Sequence, residues 1–191
     1  RYDPGSEVSR LNRAAGGEPL AVSGELIRLL TLAKELHGLT RGALDVAVMP
    51  LLELWDFKAG VVPSDGQIEA VMPLLGADRI QVDPARRTAQ LPKAGMAIDL
   101  GSIAKGYIAG RVLELLHKRG SSHALIDAGG DLAIRGQRGD RPWIIGLRNP
   151  LDVDALRGRF QVLRGGGIVT SGSYARFFTD GRGHRFSHII D

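Results

Sequence analysis

The residues able to do chemistry gather at glycine-marked breaks in the chain. The most informative stretch is Ile98-Asp99-Leu100-Gly101-Ser102-Ile103-Ala104-Lys105-Gly106-Tyr107. The apolar run from Met96 to Ile98 reads as the end of a strand, and Gly101 supplies backbone freedom at a turn. Apolar residues then recur at Ile103, Tyr107, Ile108, Val112, Leu115 and Leu116, a helical spacing. His117, Lys118, Arg119 and Gly120 form a basic last turn and a stop. A helix that starts after a glycine turn collects free N–H groups and the positive end of its dipole, which suits phosphate. Asp99 and Lys105 flank that point with opposite charges. The stretch is not a Walker loop, in which lysine follows the second glycine. An anion site and an ordinary strand-to-helix turn are both compatible with it.

Two further glycine breaks carry polar residues: Asp127 to Asp131 around Gly129-Gly130, and Thr170-Ser171-Gly172-Ser173. Such turns present backbone N–H groups to a phosphate or a base edge, so their repetition points to a nucleotide ligand. Asp45, after a glycine and ahead of an apolar segment, reads as a helix cap or a ligand contact. Tyr2 and Trp55 offer rings for stacking, with core packing favoured for Trp55. On an ideal strand His188 shares a face with His184, Phe186 and Ile190, and Asp191 lies opposite. It is either a packed, hydrogen-bonded histidine or a general base working near neutral pH. No spaced His/Asp/Glu set completes a metal site, and no Ser-His-Asp arrangement can be named.

The elements that must position these residues change character along the chain. Ser6 caps a short helix over Ser6 to Asn12. Ser23 opens a longer helix with an apolar stripe at Leu26, Leu29, Leu30, Ala33 and Leu36, closed by Gly38. Ser64-Asp65-Gly66-Gln67 is a capping-box signature ahead of Ile68, Val71, Met72 and Leu75, with Gly76 as the end. Arg79 to Val82 and Thr88 to Leu91 predict a hairpin around Asp83-Pro84. After the central helix, strands are expected over His123 to Asp127, Asp131 to Arg135, Trp143 to Leu147, Phe160 to Leu163 and Ile168 to Thr170, with a short helix over Val153 to Leu156. A last hairpin joins Tyr174–Thr179 to Arg185–Ile190 across Asp180-Gly181-Arg182-Gly183. The pattern predicts an α+β fold in which a mixed, largely antiparallel sheet carries packed helices.

At 191 residues the chain is expected to form a single domain over 1–191 with a sizeable core. No apolar run approaches a membrane span of about 20 residues. The absence of cysteine excludes disulfides, thiolate metal sites and a cysteine nucleophile. The net charge of +4 is spread over scattered arginines with few aromatics, a weak signal for nucleic acid, and no nucleic-acid partner is expected. The chain opens on Arg1-Tyr2-Asp3-Pro4 without a signal peptide, and Asp191 closes a strand without a turn; truncation at both ends is the expectation.

Together these phrases resemble the FAD:protein FMN transferase family, also called ApbE and formerly described as thiamine-biosynthesis lipoproteins. The phrases are Tyr2 with Ser6 to Asn12, Leu44-Asp45-Val46 with Pro50-Leu51 and Leu54-Trp55, Ile98 to Tyr107, Gly129-Gly130-Asp131, Thr170 to Tyr174, and Ser187 to Asp191, in family order. The resemblance implies an ApbE-like, T-fold-related architecture. It implies an enzyme that takes FAD as substrate with Mg²⁺, joins FMN to a threonine hydroxyl of an acceptor protein, and releases AMP. FAD hydrolysis to FMN and AMP, and non-catalytic periplasmic flavin binding, are the alternatives. Implied acceptors are flavoprotein subunits of sodium-pumping NADH:quinone oxidoreductase, of the Rnf complex, and of NosR type. By matching positions the resemblance implies FAD contacts from Tyr2, Ala43, Leu44, Asp45, Asp99, Lys105 and Ile190, a metal contact from the Ser102 carbonyl, and a proton acceptor in His188. As a turn residue, Asp99 is expected to contribute little to stability. The family pattern also implies periplasmic location, a lipid anchor upstream, and further metal ligands downstream of Asp191.

Overall fold

The computed structural model describes residues 3–55, 59–172, 177–187 and 189. The chain divides into two compact units, residues 1–103 with 177–191, and residues 104–176. Both mix helix with antiparallel sheet, as the α+β reading requires.

In the first unit, α1 (Glu7–Arg13) starts where the Ser6 hydroxyl accepts the Ser9 N–H. Strand β1 (Leu20–Ala21) precedes α2 (Gly24–Leu39), whose cap Ser23 accepts the Leu26 N–H in the same way. The stripe of α2 is buried at Leu26, Ile27, Leu29, Leu30 and Ala33. Gly38 lies inside this helix and not at its end. The chain leaves the helix through Arg41, at φ 54°, where the Gly42 N–H closes back on the His37 carbonyl at 2.8 Å. Helix α3 (Met49–Leu52) and α4 (Asp65–Val71) follow, and α4 opens on the Ser64–Gln67 capping box. Strands β2 (Gln81–Asp83) and β3 (Thr88–Gln90) form the expected hairpin, and β1 adds to the other side of β3 in the order β1-β3-β2.

The core of this unit holds Leu11, Leu30, Val46, Ile80, Leu91, Met96 and Ile98. Each such burial contributes about 1.5–3 kcal/mol. Met96 and Ile98 are buried, but the segment belongs to no strand, which corrects the strand reading.

The boundary between the units falls in the first turn of α5 (Gly101–Lys118). In the second unit Ala109 and Leu113 of α5 pack on Ala133, with Ala124, Ile126 and Ala128 around them. Part of the stripe read from the sequence lies off this face: Ile108, Val112 and Leu115 are exposed, while Ile103 is buried. Strands β4 (Ala124–Asp127) and β5 (Leu132–Arg135) pair antiparallel, Asp127 opposite Leu132. Strand β6 (Trp143–Asn149) pairs with the 11-residue β7 (Asp152–Val162), from Trp143 opposite Val162 to Asn149 opposite Asp152, with irregularities beside Arg148. The expected helix over Val153 to Leu156 is therefore strand. Strand β8 (Gly165–Ile168) makes a ladder of the glycine triad that reads as a turn, and completes the order β4-β5-β8.

Back in the first unit, β9 (Phe177–Thr179) and β10 (Arg185–Ser187) form the last hairpin. Its Phe186 ring stacks on Phe178 at 5.3 Å and tilts against Trp55 at 5.4 Å, so Trp55 is a packing residue.

Candidate functional site

Three sequence phrases that are far apart in the chain meet in the first unit. The Asn12 side chain, on α1, donates to the Ile98 carbonyl at 3.0 Å and accepts the Ile98 N–H at 2.9 Å. It thus does for Ile98 what a neighbouring strand would do, and satisfies a buried backbone that has no ladder. One residue on, the Asp99 N–H donates to the Val46 carbonyl at 2.8 Å. The Asp99 carboxylate accepts the Gly101 N–H at 2.7 Å, at the start of α5. Gly101 is helical; a Cβ there would come within 2.9 Å of that carboxylate oxygen, so glycine serves close approach here. Asp99 accordingly closes a turn onto the first residue of α5, which adds a stability role to the one expected of it. Ser102 is exposed on the first turn of α5, and its carbonyl lies within the helical ladder.

The segment Ala43-Leu44-Asp45 leaves α2 as an irregular loop, with the Leu44 backbone and the Asp45 carboxylate both held. The Leu44 N–H donates to the Thr40 hydroxyl at 3.0 Å, and the Leu44 carbonyl receives His37 Nδ1 at 3.0 Å. Asp45 is largely buried, with 15% of its side chain exposed. One carboxylate oxygen accepts the Ala47 N–H and the other the Gly76 N–H, each at 2.8 Å. Asp45 therefore braces two loops from within, and Ala43 is the exposed residue of the three. Through Val46, the structure sets Asp45 and Asp99 on adjoining segments.

In the second unit, Lys105 Nζ lies 3.0 Å from a carboxylate oxygen of Asp131, which is buried at the turn between β4 and β5. The same turn is closed by the Gly130 N–H to the Asp127 carboxylate at 2.7 Å and by the Ala128 N–H to the Asp131 carbonyl at 3.0 Å. The lysine is more than half exposed, and its ammonium has three donors, of which the pair uses one. Asp131 fixes where the cation stands.

Tyr2, His188 and Ile190 lie outside the described residues, as do Ser173, Tyr174 and Asp191. Among the described residues no three His, Cys, Asp or Glu side chains group as a metal site. Sequence reasoning missed His37 and Thr40. The available signal was a hydroxyl and an imidazole on the last turn of a helix, just before a loop with no ladder of its own.

The model of the ApbE family matches residues 1–191. The FAD:protein FMN transferase of Klebsiella pneumoniae (strain 342) is 36% identical over 97% of this chain and 58% of its own length. That of Vibrio cholerae (strain O395) is 34% identical over 100% of this chain and 58% of its own length. Among solved structures, the ApbE protein of Thermotoga maritima superposes with a TM-score of 0.86 at 32% identity, covering 97% of this chain and 60% of that one. The apo flavinyl transferase ApbE of Pseudomonas stutzeri gives 0.84 at 30% identity, covering 100% of this chain and 59% of that one. The chain thus spans about three-fifths of the length of the curated relatives it matches.

Proposed function

The chain belongs to the ApbE family, and on that premise we propose that it transfers FMN from FAD to a threonine hydroxyl of an acceptor flavoprotein. The observation that carries this reading is the convergence of Asn12, Val46 and Asp99 through side-chain and backbone hydrogen bonds. It gathers family phrases from three parts of the chain around the start of an 18-residue helix.

In the reaction the threonine oxygen bonds to the FMN phosphorus. The bond from that phosphorus to the bridging pyrophosphate oxygen breaks, AMP leaves with that oxygen, and the threonine proton passes to His188. Phosphoryl transfer depends mainly on positioning and charge neutralisation, so a protein nucleophile is not needed. Asp99 and the Ala43-Leu44-Asp45 loop position the dinucleotide, with Tyr2 and Ile190 as further contacts. Lys105, held by Asp131, offers its remaining donors to the phosphates.

The resemblance also implies Mg²⁺. A hard cation takes about six oxygens, one or two of them carboxylate. The described residues offer the Ser102 carbonyl and no cluster of three ligating side chains, so by themselves they do not complete the site. We place its charged ligands outside them.

We assign the acceptor to flavoprotein subunits of redox complexes of the sodium-pumping NADH:quinone oxidoreductase, Rnf or NosR type, and the location to the periplasm with a lipid anchor. Among the described residues no helix is long and apolar enough to cross a membrane.

The test is incubation of this chain, extended by the unmatched part of a longer relative, with FAD, Mg²⁺ and an acceptor carrying the target threonine. Flavin fluorescence on the acceptor in a denaturing gel supports transfer. Free FMN and AMP would replace it with hydrolysis, and unchanged bound FAD with flavin binding alone.

A further inference from the structure

The backbone on either side of Leu44 is held by two side chains that the family phrases do not include. His37 stands in the last turn of α2 with 18% of its side chain exposed. Its Nδ1 is 3.0 Å from the Leu44 carbonyl oxygen. A carbonyl only accepts, so this contact places a ring proton on Nδ1. The ring is flanked by two carboxylates: Asp78 lies 3.6 Å from Nε2 and Asp45 lies 4.0 Å from Nδ1. From the other side, the Thr40 hydroxyl accepts the Leu44 N–H at 3.0 Å and donates to the Leu36 carbonyl at 2.8 Å. The peptides before and after Leu44 are thus both tied to the end of α2. A loop without a ladder would otherwise spend part of its binding free energy on being ordered.

We propose that His37 is a positioning residue of the flavin site: with Thr40 it clamps the two peptides that flank Leu44 and sets the backbone of Ala43-Leu44-Asp45. The inference rests on the reading that this segment meets FAD. Asp45 anchors the far end of the loop to Gly76.

The full chain is compared with His37→Ala and His37→Asn, whose amide nitrogen can donate in place of Nδ1, and with Thr40→Val. FAD is titrated by fluorescence, and hydrogen exchange is followed at the Leu44 amide. His37→Ala is expected to weaken FAD binding about three- to tenfold, the scale of one net hydrogen bond. It should also speed Leu44 exchange, and His37→Asn should recover most of both. Thr40→Val should loosen the same amide, which keeps the test valid if His37→Ala fails to fold. Unchanged FAD affinity and exchange in His37→Ala, or equal losses in the alanine and asparagine variants, would overturn the proposal. If the unsubstituted chain binds no FAD, the flavin reading falls, and Leu44 exchange alone decides whether the clamp exists.

Discussion

Asp45 and Asp99 hold backbone before they hold any ligand. Because Asp99 accepts the Gly101 N–H at the start of α5, Asp99→Ala removes that turn hydrogen bond. The expected cost is about 0.5–1.5 kcal/mol of stability, read from urea unfolding, alongside weakened FAD binding. A folded variant with unchanged FAD affinity would remove Asp99 from the flavin site. His188 carries a different expectation: if it accepts the threonine proton, His188→Ala keeps FAD but loses roughly 10²–10⁴-fold in transfer rate. A large fall in melting temperature with lost FAD would mark a packing histidine instead. Asp180 gives a pH prediction. Slight burial raises its pKa, but the N–H groups of His184 and Arg182 and the His184 imidazole outweigh that and hold it below the ordinary 3.8. A carboxyl depressed in the folded state stabilises above its unfolded value, and the contribution is lost as pH falls through the folded value. The β9–β10 turn should therefore stay closed through pH 4 and fray only below it, followed by the amide resonances of Arg182 and His184. Asp180→Asn should abolish that dependence.

Gly38 and Gly165 make opposite demands on the elements that contain them. Gly38 lies within α2, and a Cβ there meets no atom within 4 Å. Gly38→Ala should stabilise the protein by about 0.5–1 kcal/mol through lost freedom in the unfolded chain. Gly165 has φ +93°, and a Cβ would lie 2.5 Å from the Ile134 carbonyl oxygen on β5. Gly165→Ala should destabilise by about 1–3 kcal/mol and loosen the β5–β8 ladder, seen as faster amide exchange in Leu132–Arg135. The same contrast explains which elements could be read in advance. Helix starts at Ser6, Ser23 and Ser64 were readable because the capping oxygen and the N–H it accepts lie within one turn. The first part of β7 and the glycines of β8 were not, because their hydrogen bonds are supplied by other strands, β6 and β5. In α5 the apolar residues admit two stripes, and only the contact with Ala133 on β5 selects Ala109 and Leu113. The loop at Leu44 was readable as a site and not as a clamp, since His37 lies seven residues back.

Over the whole molecule, the acids of the sequence phrases are already committed to the scaffold. Asp45 holds the N–H groups of Ala47 and Gly76, and Asp99 holds that of Gly101. In the second unit Asp127 holds the Gly130 N–H, and Asp131 holds Lys105. Drawing two of them onto a hard cation would release backbone donors that the turns depend on, at about 1–3 kcal/mol for each donor left buried and unpaired. The relatives that share the family are longer than the matched stretch, which covers 58% of the Klebsiella protein. On this basis Mg²⁺ should change the FAD affinity of residues 1–191 by less than about threefold, a shift near 0.6 kcal/mol. Incubated with acceptor, residues 1–191 should show no Mg²⁺-dependent flavinylation, whereas a fusion to the unmatched part of a relative should gain it. Calorimetric titration of FAD with and without the cation, followed by the denaturing-gel assay on both proteins, measures this directly. A tightening of tenfold or more, or robust flavinylation by residues 1–191 alone, would place a working metal site inside this chain. A charged ligand would then come from the residues outside the described set, Asp191 among them, and no later segment would be needed to hold the cation.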